Sequence, residues 1–215
     1  MKKHAAWALA LLAALVLGSA AADTITPMPP TLDTDSLACQ AVMAVLTDAD
    51  PAARTVTLAL YEPEVFAAED ILALQPGDVL LSGGREIAVT SVDITSWGEV
   101  SLNEGTDAWY ETLPWLEQDD SGNYRTVCYG SLPGWTPFGQ MTFTLPDTLL
   151  LLDGIDPATG VALELPTVHT ADQWLAMIAE EAESEGVGFS IENLYLIFDE
   201  NGVPAVACRY HVPWQ

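Results

Sequence analysis

Residues Leu74–Glu104 read LQPGDVLLSGGREIAVTSVDITSWGEVSLNE, and the spacing of glycines within them decides the fold class. Pro76-Gly77-Asp78 is a turn, because proline fixes φ, glycine accepts positive φ and aspartate bonds nearby backbone. An apolar run follows to Ser82. Gly83-Gly84 suits a two-residue hairpin turn, which needs positive φ at both central positions. Ile87 and Val89 alternate on one face, but Val92 and Ile94 fall on the other. One extra residue near Thr90-Ser91 produces such a slip, which is how a β-bulge reads. Trp97-Gly98 turns the chain again before Val100 and Leu102. Three short bent strands predict a small curved sheet or an SH3/OB-like barrel. The glycine pair is not a phosphate loop: no GxxxxGK[ST] surrounds it and no long helix follows.

Upstream, Thr55–Tyr61 alternates cleanly, with Val56, Leu58 and Leu60 on one face. Leu37–Leu46 fits a helix capped by Asp35 or Ser36, but its alternation fits a strand too. A hairpin across Asp48-Ala49-Asp50-Pro51 accounts for both runs, so a strand is expected. Phe66–Leu74 reads as a short helix. Residues 23–36 are rich in Thr, Pro and Asp and read as a flexible leader.

Downstream, Tyr124–Tyr129 is a strand after the turn Asp119–Asn123. Gly130–Gly139 (GSLPGWTPFG) reads as a loop separating a β-rich, barrel-like half, residues 37–130, from a sheet-plus-helix half, residues 140–215; one continuous domain is the other organisation. Leu149–Leu152 has the pattern of a strand buried on both faces. Val161, Leu163 and Leu165 alternate. Thr170 and Gln173 form a capping box opening a helix whose stripe is Trp174, Leu175, Ile178 and Ala182, with Gly186 as its stop. A final hairpin turns at Asp199–Gly202. The fold class is mainly β (α+β), an antiparallel sheet carrying one long helix.

Residues 1–22 have the layout of a signal peptide: Lys2 and Lys3, an apolar run, then Ser19-Ala20-Ala21-Ala22 as the cleavage site. The chain is therefore expected to be secreted, cut after Ala22, with no membrane span remaining. Of 6 basic and 31 acidic residues, cleavage removes Lys2 and Lys3 alone, leaving 4 − 31 = −27 and no lysine. Such charge repels nucleic acid and anionic lipid. It suits a soluble protein, and beyond that calcium or a cationic partner.

Export permits disulfides. Of Cys39, Cys128 and Cys208, Cys128 and Cys208 lie in strand-like runs and are the candidate pair; three free thiols are the alternative. No HExxH, CxxC, His-x-His or GxSxG is present, so His169 and His211 announce neither a metal site nor catalysis. Cys208 and His211, three apart on a strand, face opposite ways. Glu117–Gly122 has EF-hand-like acids but lacks the glutamate that closes such a loop. Paired carboxylates are a matter of space, not spacing. Trp97 and Trp135 stand beside Gly or Pro in expected loops, where an aromatic ring serves as a platform for a sugar or peptide.

Taken together, Tyr61-Glu62-Pro63-Glu64, Pro76-Gly77-Asp78, Gly84-Arg85-Glu86-Ile87, Tyr124–Gly130 and Arg209-Tyr210-His211-Val212-Pro213-Trp214 resemble uncharacterised exported proteins of Gram-positive anaerobes. The resemblance implies no activity. The Pro-Gly-Asp hairpin is similar to turns of SH3-like and OB-like barrels, a likeness of fold only. The leading expectation is a non-enzymatic binding or interaction module acting on a protein or glycan of the cell envelope. The alternatives are an envelope hydrolase using paired carboxylates and a calcium-stabilised structural domain. No cofactor other than calcium is expected.

Overall fold

The computed structural model describes residues 22–103, 115–127, 134–156, 159, 161–181 and 194–210. The fold is mainly β, with two helices among the described residues. The signal-peptide reading, the Cys128 thiol, His211 and the expected helix stop at Gly186 lie outside them.

Seven strands form the larger sheet. β2 (Ala41–Asp50) and β3 (Thr55–Pro63) make the expected hairpin, and β11 (Trp135–Thr144) pairs antiparallel with β3. β12 (Leu150–Ile155), β13 (Ala162–Thr170), β14 (Leu194–Phe198) and β15 (Pro204–Arg209) complete the order β11-β3-β2-β14-β15-β12-β13. Only β12 and β15 run parallel within it. The helix Ala171–Glu181 packs Trp174, Leu175 and Ile178 against one face, with Leu58, Leu60, Leu151, Leu196 and Phe198. Its capping box is present: Thr170 N–H donates to Gln173 Oε1 at 2.8 Å, and Gln173 N–H donates to Thr170 Oγ1 at 3.3 Å.

Strands from both sides of Gly130–Gly139 thus share one sheet. The intervening residues form two smaller sheets around a second core of Phe66, Ile71, Leu80, Leu102, Leu116 and Tyr124. One joins β1 (Thr24–Ile25), β5 (Val79–Ser82) and β6 (Arg85–Ala88); the other orders β4 (Val65–Phe66), β10 (Tyr124–Val127), β9 (Trp115–Gln118), β8 (Val100–Leu102) and β7 (Val92–Ile94). These bent sheets do not close into a barrel.

Several expectations need correction. The slip at Thr90-Ser91 is not a bulge in one strand but a break that sends β6 and β7 into different sheets. Asn103, buried and left-handed at φ 59°, bridges the break. Its Oδ1 accepts from Thr90 N–H (2.6 Å), Thr90 Oγ1 (2.9 Å) and Ser91 N–H (3.3 Å), and its Nδ2 donates to Ala88 O (2.9 Å). The stretch therefore holds four strands, not three. The short helix is confined to Ala68–Leu72, because Val65–Phe66 pairs with β10 instead.

The expected loop Gly130–Gly139 does not hold over its described residues beyond Gly134. Trp135–Gly139 belongs to β11, whose register shifts between Pro137 and Gly139 to absorb the Pro and Gly residues. Residues 23–36, expected to be flexible, are docked: β1 pairs with β5, and Met28 N–H donates to Val65 O at 2.7 Å. Leu149–Leu152 is not buried on both faces; Leu150 is 42% exposed. Leu165, in the alternation Val161, Leu163 and Leu165, is 80% exposed; β13 is the last described strand of its sheet, and its register against β12 jumps between Asp153 and Ile155.

Candidate functional site

Three hairpin turns are built on one frame. In Thr95–Glu99, Asp119–Asn123 and Asp199–Val203 the first residue's N–H donates to the fifth residue's carbonyl at 2.8–2.9 Å. The first residue's side-chain oxygen accepts the fifth residue's N–H: Thr95 Oγ1 at 3.0 Å, Asp119 Oδ1 at 3.1 Å, Asp199 Oδ1 at 2.9 Å. The fourth residue is a left-handed glycine, at φ 91°, 85° and 73°. An L side chain is strained there, so glycine is what lets the turn rejoin the ladder.

The third position of this frame stands at the tip. Two of the turns place a small polar residue there, exposed Ser121 and Asn201. The first places Trp97, which is 72% exposed. Its indole N–H donates to the Glu99 carboxylate, so the ring is tied to its own hairpin. Tyr124 steadies the same turn from the core, donating its hydroxyl to Gly98 O at 3.0 Å. Exposed Ile94 lies on the adjoining strand β7, the last described strand of its sheet.

Trp135 has a different setting. It is half-buried at the start of β11, opposite Pro63, and its indole nitrogen is fully buried. Trp97 sits on the β7–β8 hairpin, at the far side of the five-stranded sheet from β4, whereas Trp135 lies at the β3 side of the junction. The two rings do not form one platform.

Sequence reasoning missed a second polar site. Glu64 joins β3 to β4 and is 3% exposed. Its carboxylate accepts from Ser82 Oγ at 2.8 Å and from Gly83 N–H at 2.7 Å, on the β5–β6 hairpin. Its own N–H donates to Gly134 O at 2.9 Å, and Gly134 N–H donates to Thr126 Oγ1 at 3.0 Å. One residue therefore ties all three sheets together. Burial pushes its carboxyl above the ordinary value, against the lowering effect of the Ser82 and Gly83 bonds. The sequence signal was slight: an acid between a proline and a β-branched residue, Pro63-Glu64-Val65.

The remaining candidates are already engaged. Asp119 bonds the hydroxyl and N–H of Ser121, and these bonds, the hydroxyl first, hold its carboxyl below the ordinary value. The acidic stretch at Glu117–Gly122 is a hairpin turn. Asp199 is likewise lowered, chiefly by the Val203 N–H. Asp153 is buried in a bidentate pair with Arg209, Nε–Oδ1 2.9 Å and Nη2–Oδ2 2.7 Å. Among the described residues, no group of three His, Cys, Asp or Glu side chains is placed to hold a metal. Cys39 and Cys208 carry free thiols, and burial pushes the Cys208 thiol up, away from the reactive thiolate. Among the described residues, no helix is long and apolar enough to cross a membrane.

Compared with known proteins, the chain matches no family model, no curated protein and no solved structure.

Proposed function

We propose that this chain is an exported, non-enzymatic binding module of the extracellular medium or cell envelope, and that it meets its ligand through the Thr95–Glu99 turn. One observation carries this reading. Of three turns built alike, one exposes a tryptophan where the others expose Ser121 and Asn201. Folding gains little from that ring in water, whereas a ligand gains a large flat apolar surface. The neighbouring carboxylate of Glu99 fixes the ring, which reduces the entropy lost on binding. A sugar ring of an envelope glycan or an apolar peptide side chain fits such a surface.

The hydrolase alternative requires two facing acids, one with a raised pKa. Glu64 supplies the raised carboxyl, but among the described residues that carboxylate bonds Ser82 and Gly83 rather than a second acid. The calcium alternative rests on the net charge alone.

The test is a thermal melt of residues 23–215 with peptidoglycan fragments, chito-oligosaccharides, short peptides and calcium chloride, repeated on Trp97→Ala. A ligand at a hundred times its Kd adds about 2.7 kcal/mol, or a rise of roughly 5–11 °C at this size. A rise that Trp97→Ala abolishes supports the reading. A rise that survives the substitution overturns the assignment to this turn. A rise with calcium alone favours the structural domain.

A further inference from the structure

Asp78 stands just before β5 and is 4% exposed. Its Oδ2 accepts the Gln75 N–H at 2.9 Å across the Pro76-Gly77 turn, and its Oδ1 accepts the Asp23 N–H at 3.1 Å. Its backbone is fixed as well: its N–H donates to Gln75 O at 3.1 Å, and its carbonyl accepts the Val89 N–H at 2.8 Å. Among the described residues, no Lys, Arg or His side chain pairs with this carboxylate. Buried carboxylates are usually matched by a cation. This one has two neutral donors.

The donor at Oδ1 is the residue that follows the expected cleavage site. Ala22 and Asp23 are both exposed, so the bond between them is open to a peptidase. β1 starts at once after it. Thr24 and Ile25 pair with Val79 and Leu80, Val79 N–H donates to Asp23 O at 2.9 Å, and Ile25 packs against the second core. Hydrolysis of the Ala22–Asp23 bond consumes one water. Ala22 leaves as a carboxylate, and the Asp23 nitrogen becomes an amine that is mostly protonated at pH 7. The missing cation then arises on the atom that already faces Asp78.

We propose that Asp78 is the receptor for the mature amino terminus: removal of the signal peptide turns the Asp23–Asp78 contact from an amide hydrogen bond into a partly buried ion pair, which locks β1 onto β5. The inference rests on the export reading but not on the Trp97 turn. No rearrangement is needed, because the nitrogen stands within bonding distance before the cut. A charge-assisted bond is roughly twice as strong as a neutral one. Asp23 is exposed, so the ammonium keeps water on its open side. Capture of an amino terminus is a known use of such a fixed acceptor.

The test compares residues 23–215 with residues 21–215, each freed from a fusion by a protease that leaves no extra residue. Lys2 and Lys3 are the only lysines of the sequence, so each chain carries a single amine, at its N-terminus. N-hydroxysuccinimide acetate then acetylates that one amine, followed by mass spectrometry. Relative to its own rate in urea, folded 23–215 is expected to react about tenfold more slowly than 21–215, because an ammonium held by a carboxylate gives up its proton less readily. It should melt roughly 2–4 °C higher at pH 7, and acetylation should remove that margin. Asp78→Asn should make the two chains alike in both measurements; if that variant does not fold, the two wild-type chains still decide. Equal rates or equal midpoints for them overturn the proposal, as does a difference that survives Asp78→Asn. The mass of the product secreted when the full chain is expressed in an exporting bacterium tests the export reading separately. A product that does not begin at Asp23 overturns that reading and the anchor with it. One that begins at Asp23 but reacts like 21–215 overturns the anchor alone.

Discussion

Glu64 lies against Gly134 so closely that a Cβ on the glycine would stand 2.0 Å from Glu64 Oε2 and 2.6 Å from Thr126 Oγ1. The carboxylate occupies the volume a side chain would need, and Gly134 also holds Glu64 by a backbone bond. Gly134→Ala must push the carboxylate off Ser82 and Gly83. The expected loss is about 1–3 kcal/mol, as for other overpacked sites, seen as a lower thermal midpoint. An unchanged midpoint would mean that Glu64 can move freely.

Glu64 also sets a pH dependence. Burial raises its folded pKa above the unfolded value, so the ionised form is the one that folding disfavours. Its contribution to stability is fully present below the ordinary glutamate pKa and is lost as pH rises through the raised value. Glu64→Gln has no such titration. The midpoint of the wild type minus that of Glu64→Gln should therefore fall as pH rises from the ordinary glutamate value through the raised one. Comparing the pair cancels the general effect of titrating the other acids. A flat difference would show that Glu64 ionises normally.

Asp153 and Arg209 form the buried ion pair of the larger sheet, joined across the parallel strands β12 and β15. Asp153→Ala leaves a guanidinium in the core without its carboxylate, at a cost of about 3–5 kcal/mol. Replacing both residues with apolar ones of similar volume should recover most of that loss. Urea unfolding of the single and double variants measures it. A double variant as weak as the single would assign the cost to lost packing rather than to the broken ion pair.

Glu99→Gln probes the Trp97 turn without removing the ring. Trp97 is exposed and Glu99 half-buried, and the substitution keeps the side chain's shape, so stability should change by no more than about 0.5 kcal/mol. Any ligand that depends on Trp97 should bind several-fold more weakly, because the ring is no longer held by a charge-assisted bond. Tryptophan fluorescence titration of both proteins gives the comparison. Equal affinities would show that the ring needs no fixing.

What was legible in the sequence was local. Gly83-Gly84 forms the expected turn, with φ of 57° and 72°, because its chemistry lies within two residues. Thr170 and Gln173 cap their helix for the same reason. Trp97 was readable as a candidate from its place beside Gly98. The failures were at long range. Nothing near Thr90 shows that Asn103 will bridge a break there. Gly and Pro around Trp135 signal a loop, yet β3 supplies a pairing partner more than seventy residues earlier and the strand bends to fit. The alternation at Val161–Leu165 gives a period but does not say whether anything covers either face. Glu64 was invisible because its burial depends on Ser82, Gly83 and Gly134, all distant in sequence.

The place of β15 has a consequence for the order of events when the chain is made. It is the last strand described, yet it lies inside the sheet, between β14 and β12. A chain delivered from its N-terminus presents β12 and β14 first, each with an open edge, and Asp153 without its counter-ion. Those edges can pair wrongly until Arg209 arrives. Assembly of the larger sheet therefore waits for nearly all of the described chain, while the smaller sheets, whose strands all precede Trp135, can form earlier. The two cores are separated in time as well as in space.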